Sequence, residues 1–133
     1  MKALSVRQPW AWLLVVGHKN IENRTWSTSY RGPLLIHASK GMTIAEYVDV
    51  RRYLRSIGRE DIDLPHPKEL ERGGIIGAVD LVACFESHGR LSPWHMEGCY
   101  GFAVSNARQL PFVPYTGRLG IFDVPDSALQ VPA

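Results

Sequence analysis

The chain has 133 residues, of which 45% are apolar and 21% charged, and these proportions exclude a disordered chain and favour one globular domain over residues 1–133. No run approaches the roughly 20 apolar residues of a membrane helix, so no membrane partner is expected. The net charge of +2 is too small to indicate a partner, but residues 1–40 carry six basic side chains against one acid. This excess predicts either a patch for phosphates or a solvated charged face.

The first half of the chain predicts three strands and two helices. The strands are Ala3–Val6, Ile21–Trp26 and Leu34–Ser39. The first helix, Gln8–Val16, follows the first strand, and the second helix, residues 43–58, follows the third strand. The first helix has Pro9 in its first turn and Gly17 as its C-terminal stop. The second opens with a capping box between Thr43 and Glu46, and its apolar residues recur at helical spacing until Gly58.

The second half of the chain predicts a surface excursion over Arg59–Arg72 with up to one turn of helix, and then a strand over Ile75–Phe85 that is buried on both faces. Asp80 interrupts this strand and needs a partner, which favours a structural hydrogen-bond acceptor over a site residue. Ser87–Gly98 is then predicted as a loop and Tyr100–Val104 as a strand. Arg108–Arg118 is predicted as a proline-rich connection, and Leu119–Val124 as the last strand. About six strands with two principal helices indicate an α+β fold built on a small mixed β-barrel.

Cys84 and Cys99 lie far apart in apolar runs, which predicts buried, reduced thiols. Lys2 and Arg7 precede seven apolar residues, as in a short signal peptide, but no small-x-small cleavage site follows. A cytoplasmic protein is therefore expected.

The segment 17–24 concentrates charge directly after the first helix. Strand alternation places Glu22, Arg24 and Trp26 on one face, with Lys19 at its entrance. A carboxylate, a guanidinium and an indole on one face can hold a polar, planar, anionic ligand. Charges at this density are expected outside the core, so the alternative is a solvated edge strand with an ordinary surface ion pair.

The histidines indicate no metal site, because their spacing matches no familiar ligand set; no metal and no cofactor are expected. His37 and Ser39 lie on the polar side of their strand, where His37 can donate to a ligand or transfer a proton, although a structural histidine is favoured. His88 and His95 flank a loop that contains Trp94, and both are expected to be exposed polar residues.

Aromatic side chains near the basic residues suggest contact with nucleic-acid bases. Trp10 and Trp12 lie within one helical turn and cannot both face the core fully. We assign Trp12 to core packing and regard Trp10 and Trp26 as candidates for a cleft, because such residues stack on the bases of single strands. No nucleophile elbow, Walker loop or dinucleotide fingerprint is present, which removes the best-marked enzyme classes.

The order and spacing of several short motifs resemble the ASCH (activating signal cointegrator homology) family over nearly the full chain, with the cointegrator-type branch as the nearest match. The motifs are Ser5-Val6-Arg7-Gln8-Pro9-Trp10-Ala11, Gly17-x-Lys19-x-x-Glu22-x-Arg24, Arg31-Gly32-x-Leu34-x-Ile36-x-Ala38-Ser39, Gly77-x-Val79-Asp80-Leu81, Tyr100-Gly101-Phe102 and the segment from Leu110-Pro111-Phe112 to Gly117.

The resemblance implies a PUA-like β-barrel whose signature lysine, glutamate and arginine line a cleft for nucleic acid or a nucleobase. Some small bacterial relatives look like amidohydrolases that remove the acetyl group of N4-acetylcytidine, and others have been proposed as ribonucleases. In the amidohydrolase branch a lysine matches Lys19, whereas a threonine stands at the position of Glu22.

Three functional hypotheses follow. The first is a module that binds RNA, another single-stranded nucleic acid or a modified nucleoside, with cations near phosphates and Trp10 or Tyr100 stacking on a base. Its candidate ligand-binding residues are Gln8, Trp10, Lys19, Glu22, Arg24, Trp26, Arg31, Ser39 and Tyr100.

The second hypothesis is a hydrolase acting on RNA or a modified nucleoside, with Lys19, Glu22 and His37 as its catalytic residues. A lysine beside a carboxylate stays protonated, which favours Lys19 as the group that stabilises an oxyanion, Glu22 as the base and His37 as the acid. The third hypothesis is a protein-interaction module of the transcription coactivator type.

Overall fold

The computed structural model describes residues 1–86 and 92–129. The elements found there are β1 (Lys2–Val6), α1 (Trp10–Val15), β2 (Ile21–Arg24), β3 (Gly32–Ala38), α2 (Ile44–Ser56), β4 (Gly74–Phe85), β5 (Tyr100–Pro114), β6 (Ile121–Asp123) and a 3₁₀ turn (Asp126–Leu129). The predicted strands and helices occur in the predicted order. Neither described helix combines the length and the apolar character that crossing a bilayer requires.

The strands of the described residues form one mixed sheet in the order β2-β5-β4-β3-β1-β6. β1 pairs with β3 in parallel and with β6 in antiparallel fashion, and the remaining pairs are antiparallel. The sheet curls into a half-barrel with β2 and β6 at its edges, which confirms the predicted α+β fold with a small mixed PUA-like barrel.

α1 packs across β3, β4 and β5 and buries four of its six residues. Gly77 of β4 permits this contact, because a Cβ atom there would lie 2.7 Å from Cγ1 of Val15 and 2.5 Å from the carbonyl oxygen of Arg108. Gly17 ends the helix in the left-handed region at φ +89°, and the amide of Lys19 then donates to the carbonyl of Leu13 over 2.9 Å. The chain therefore folds back under the helix and carries Lys19 inward.

α2 begins as predicted. The Thr43 hydroxyl accepts a hydrogen bond from the Glu46 amide, and the Glu46 carboxylate accepts one from the Thr43 amide, each over 3.1 Å. These two bonds satisfy amide donors that the first turn of any helix leaves without a helical partner.

The expected connection over residues 108–118 was wrong for residues 108–114, because β5 continues to Pro114. The register of β5 against β4 shifts between Ile75 and Gly77, which places Pro111 in a bulge, where a proline costs no ladder hydrogen bond. Asp80 is confirmed as a hydrogen-bond acceptor for Arg108, over 3.2 Å, and for the Asn106 amide, over 3.0 Å.

Smaller corrections concern burial and element ends. β2 ends at Arg24, and the excursion over residues 59–72 contains turns but no helix. The far end of β4 exposes Val82 and Phe85, so only its first half is buried on both faces. Cys84 and Cys99 are free and only half-buried. Of the predicted loop over residues 87–98, only 92–98 belong to the described residues, and His88 lies outside them.

Candidate functional site

Lys19, Glu22 and Arg24 form one charged cluster between α1 and the sheet edge. The Nζ atom of Lys19 lies 2.6 Å from Oε1 of Glu22, while Nη2 and Nε of Arg24 lie 2.9 and 3.1 Å from Oε2. Lys19 is only 4% exposed and Glu22 only 7%. The expectation that these charges stay outside the core was therefore wrong for both residues. Mutual pairing compensates part of the cost of removing the charges from water.

The pKa of Glu22 reflects two opposing effects. Burial alone would raise it, but the positive charges and hydrogen bonds of Lys19 and Arg24 outweigh burial and hold it below the ordinary glutamate value. Glu22 is therefore an ionised carboxylate at neutral pH. A carboxylate in this state is a weak base, which makes it a better acceptor for a ligand than a proton abstractor.

A cavity of about 660 Å³, which we call the aromatic pocket, opens beside Lys19 and Glu22. Its lining residues are Trp10, Lys19, Glu22, Asn23, Glu46, Asp49, Val50, Tyr53, Trp94, His95, Met96 and Glu97. The Trp10 and Tyr53 rings meet edge to face with centroids 5.8 Å apart, and Trp94 lies 6.2 Å beyond Tyr53. The Lys19 ammonium lies 5.2 Å from the centre of the Trp10 ring.

Asn23 holds one wall of the aromatic pocket in place. Its side chain donates to the carbonyl of Trp94 over 2.8 Å and accepts from the amide of Met96 over 2.7 Å. The expectation that His95 is exposed was wrong, because it is completely buried and donates from Nε2 to the carbonyl of Cys99. Trp94 is also buried. Trp94 packs against Val50 of α2 and Ile21 of β2, and residues 94–97 become part of the site.

A second cavity of about 1030 Å³, which we call the basic groove, runs over the ends of β1 and β3. Its lining residues are Ser5, Arg7, Arg24, His37, Ser39, Lys40, Arg72, Gly73, Phe112, Pro114, Tyr115, Thr116, Gly117, Arg118, Leu119 and Gly120. Five of these described residues are cations and none is an acid. The groove therefore attracts anions.

Hydrogen bonds join His37 to the floor and one wall of the basic groove. Its Nε2 donates to the carbonyl of Tyr115 over 2.6 Å, and its Nδ1 shares a hydrogen bond with the Ser5 hydroxyl over 2.9 Å. Ser39 in turn bonds Ser5 over 3.0 Å. His37 is 2% exposed, and with both ring nitrogens engaged it holds the wall rather than facing a ligand.

Two ion pairs cross the boundary between the cavities. Glu22 faces the aromatic pocket and its partner Arg24 faces the basic groove. Likewise Glu46 lines the pocket while Arg7, 2.6 Å away, lines the groove. The hydrogen bonds and charge of Arg7, together with hydrogen bonds from Thr43, lower the pKa of Glu46 to about 2. The two cavities are thus adjacent and carry opposite charge.

The predicted site residues divide into three groups. Trp10, Lys19 and Glu22 line the aromatic pocket, and Arg24, His37 and Ser39 line the basic groove, whereas Gln8, Trp26, Arg31 and Tyr100 line neither.

The last four residues have structural partners. Gln8 is buried and donates to the carbonyl of Glu71 over 2.9 Å, and Arg31 donates to carbonyls of its own turn. Trp26 and Tyr100 pack against the main core cluster. Trp12, which we assign to core packing from the sequence, packs against a second core cluster.

Sequence reasoning missed Tyr53 and Trp94 in the pocket, and the cations Arg7, Lys40, Arg72 and Arg118 in the groove. The groove cations come from separate segments, and no spacing in the sequence connects them. For Trp94 the sequence held one indication of burial. A large aromatic side chain in a polar loop is unfavourable to leave exposed to water, so it is expected to pack against the protein.

The chain is similar in sequence to proteins of one known family. The sequence model of the ASCH domain matches residues 4–119. Activating signal cointegrator 1 of Homo sapiens is 39% identical over 82 residues, which are 61% of this chain and 14% of that protein. The Mus musculus protein of the same name is 38% identical over a segment of the same coverage. The match thus covers only a small part of these relatives, whereas the domain model covers most of this chain. The chain belongs to the ASCH domain family.

Proposed function

We propose that this domain binds single-stranded nucleic acid, RNA in particular, and takes one unstacked base into the aromatic pocket. The observation that carries the proposal is the arrangement of Trp10, Lys19 and Glu22, which puts an aromatic face, a cation and an ionised carboxylate around one concave space. Stacking supplies affinity for any base, and the polar groups supply hydrogen bonds to its edge.

The size and charge of the aromatic pocket support a base with an amino group. A volume of about 660 Å³ lies in the ordinary range for small-ligand sites. Its lining includes four carboxylates, from Glu22, Glu46, Asp49 and Glu97, against the single ammonium of Lys19. Carboxylates accept hydrogen bonds from the amino groups of cytosine and adenine, so this pocket favours these bases over uracil.

The experiment is a fluorescence anisotropy titration of labelled eight-nucleotide strands of cytidine, adenosine or uridine. Replacing the stacking ring in Trp10→Leu is expected to weaken binding by about 5- to 150-fold, the usual value of one stacked base. Trp12→Leu is the matched control, because Trp12 lies on the same helix but does not line the pocket. Circular dichroism checks that both variants fold.

Equal effects of the two substitutions, or equal affinity for all three strands, would contradict the base pocket. The name of the relatives supplies a second candidate, a protein-interaction module in a signal cointegrator. The same titration separates the two functions, since such a module leaves every strand unbound.

A further inference from the structure

We infer that the basic groove is a separate phosphate site, which holds the backbone of a polynucleotide whose base occupies the aromatic pocket. The preferred ligand is then a phosphorylated chain rather than a free nucleoside. The inference depends on the proposed function for the position of the base and adds a site formed mainly by residues outside the Gly-x-Lys-x-x-Glu-x-Arg signature.

The positive charge of the basic groove is only partly neutralised by carboxylates. Arg7 and Arg24 are neutralised by Glu46 and Glu22. For the other three cations of the groove, no carboxylate of the described residues lies within ion-pair distance; these cations are Lys40, Arg72 and Arg118. All three are exposed. Like charges gathered on one surface repel each other, so their convergence needs an anionic partner to be favourable.

The fold holds the basic groove open. The bond from His37 to the carbonyl of Tyr115 fixes the wall formed by residues 114–120. The amide of Tyr115 also donates to the carbonyl of Gly73 over 3.1 Å. Gly117 approaches the floor so closely that a Cβ atom there would lie 2.7 Å from Cε1 of His37. Arg118 comes directly after Gly117, so this close approach helps to fix the position of its backbone, which reduces the ordering cost of binding.

A short distance separates the two cavities. One carboxylate, that of Glu22, separates Lys19 on the pocket side from Arg24 on the groove side. In a nucleotide only a sugar ring separates the base from its phosphate. A base stacked on Trp10 therefore places its neighbouring phosphate at the Arg24 end of the groove, and the next phosphates continue toward Arg72 and Arg118.

The test compares an exposed pair of groove cations with an exposed pair elsewhere. In Arg72→Gln/Arg118→Gln the groove loses two cations, and in Arg51→Gln/Arg52→Gln the exposed surface of α2 loses the same charge. Each is titrated with a labelled eight-nucleotide cytidine strand at four salt concentrations, and separately with cytidine, cytidine monophosphate and pyrophosphate. Melting temperatures confirm that both variants fold.

The groove variant is expected to bind the strand at least tenfold more weakly at low salt. The slope of log K against log salt should fall by about 1.4, because each phosphate of a single strand that is no longer neutralised lowers it by about 0.7. The α2 variant should keep the wild-type slope, and cytidine should bind the wild type and the groove variant equally.

The failures of the two proposals are distinguishable. If the wild type binds cytidine but the two double variants bind the strand alike, the phosphate site is wrong and the base pocket stands. If the strand binds with a groove-dependent slope but Trp10→Leu has no effect, the base pocket is wrong. Binding of pyrophosphate as tight as that of the strand would show a site for free phosphate and overturn the polynucleotide path. Failure of every ligand to bind would contradict both.

Discussion

The Nζ atom of Lys19 lies 2.6 Å from Oε1 of Glu22, and both side chains are buried. The two residues are three positions apart, one in the turn after α1 and the other in β2. A buried ion pair is costly to form but more costly to break, since one charge then stays in the interior without its partner.

Glu22→Gln should therefore destabilise the domain by about 3 kcal/mol or more, measured as the free energy of unfolding in urea at pH 7. Lys19→Met should cost less, because Glu22 keeps its bonds to Arg24. Lys2→Met is the control: Lys2 pairs with Asp123 over 2.9 Å at the surface, and its loss should leave stability unchanged within error. A loss in Lys2→Met as large as that in Glu22→Gln would contradict the importance of burial.

The lowered pKa of Glu22 predicts how stability depends on pH. Because the folded-state pKa lies below the unfolded value near 4.5, the unfolded state binds more protons in the window between the two. The stabilisation that ionised Glu22 contributes is therefore complete above about pH 4.5. It is lost as the pH falls through the folded-state pKa of Glu22. Urea unfolding between pH 7 and pH 3 should show a steeper acid loss in the wild type than in Glu22→Gln. Parallel curves would show that Glu22 does not titrate with folding.

Gly77→Ala should destabilise the contact between α1 and β4. The new methyl group would meet the backbone carbonyl of Arg108, which cannot move without disturbing the ladder, as well as Val15. Overpacking of this kind usually costs about 1–3 kcal/mol, seen as a lower melting temperature. In the control Gly41→Ala the methyl group meets only the flexible end of Arg7, at 3.3 Å. Equal melting temperatures for the two variants would mean that α1 can shift to accommodate the methyl group.

The hydrolase hypothesis is tested by incubating the wild type and Lys19→Ala with N4-acetylcytidine, other nucleosides and short RNAs, followed by mass spectrometry. We expect every substrate to be unchanged, because Glu22 has a lowered pKa and both of its oxygens are engaged. A product formed by the wild type and absent with Lys19→Ala would instead identify an enzyme with Lys19 in its active site.

Local patterns in the sequence predicted most of the fold. The capping box at Thr43, the helix stop at Gly17 and the alternation in the strands act within a few residues, so they can be read without knowing the neighbours in space. The prediction failed where a distant partner decides the structure. β5 continues through Pro111 because β4 pairs with it and accommodates a bulge, and neither strand signals this alone.

The sequence by itself determined the family, the order of the elements and the presence of a charged segment after α1, since each depends on residue types at short, fixed spacing. Only the tertiary structure decided that Lys19 and Glu22 are buried and that Trp10 and Trp94 share one pocket. It also brought Arg72 and Arg118 into one groove. The physical reason is that burial and electrostatic attraction depend on distance through space, and the folding of β1, β3 and the chain after β5 onto one another sets those distances.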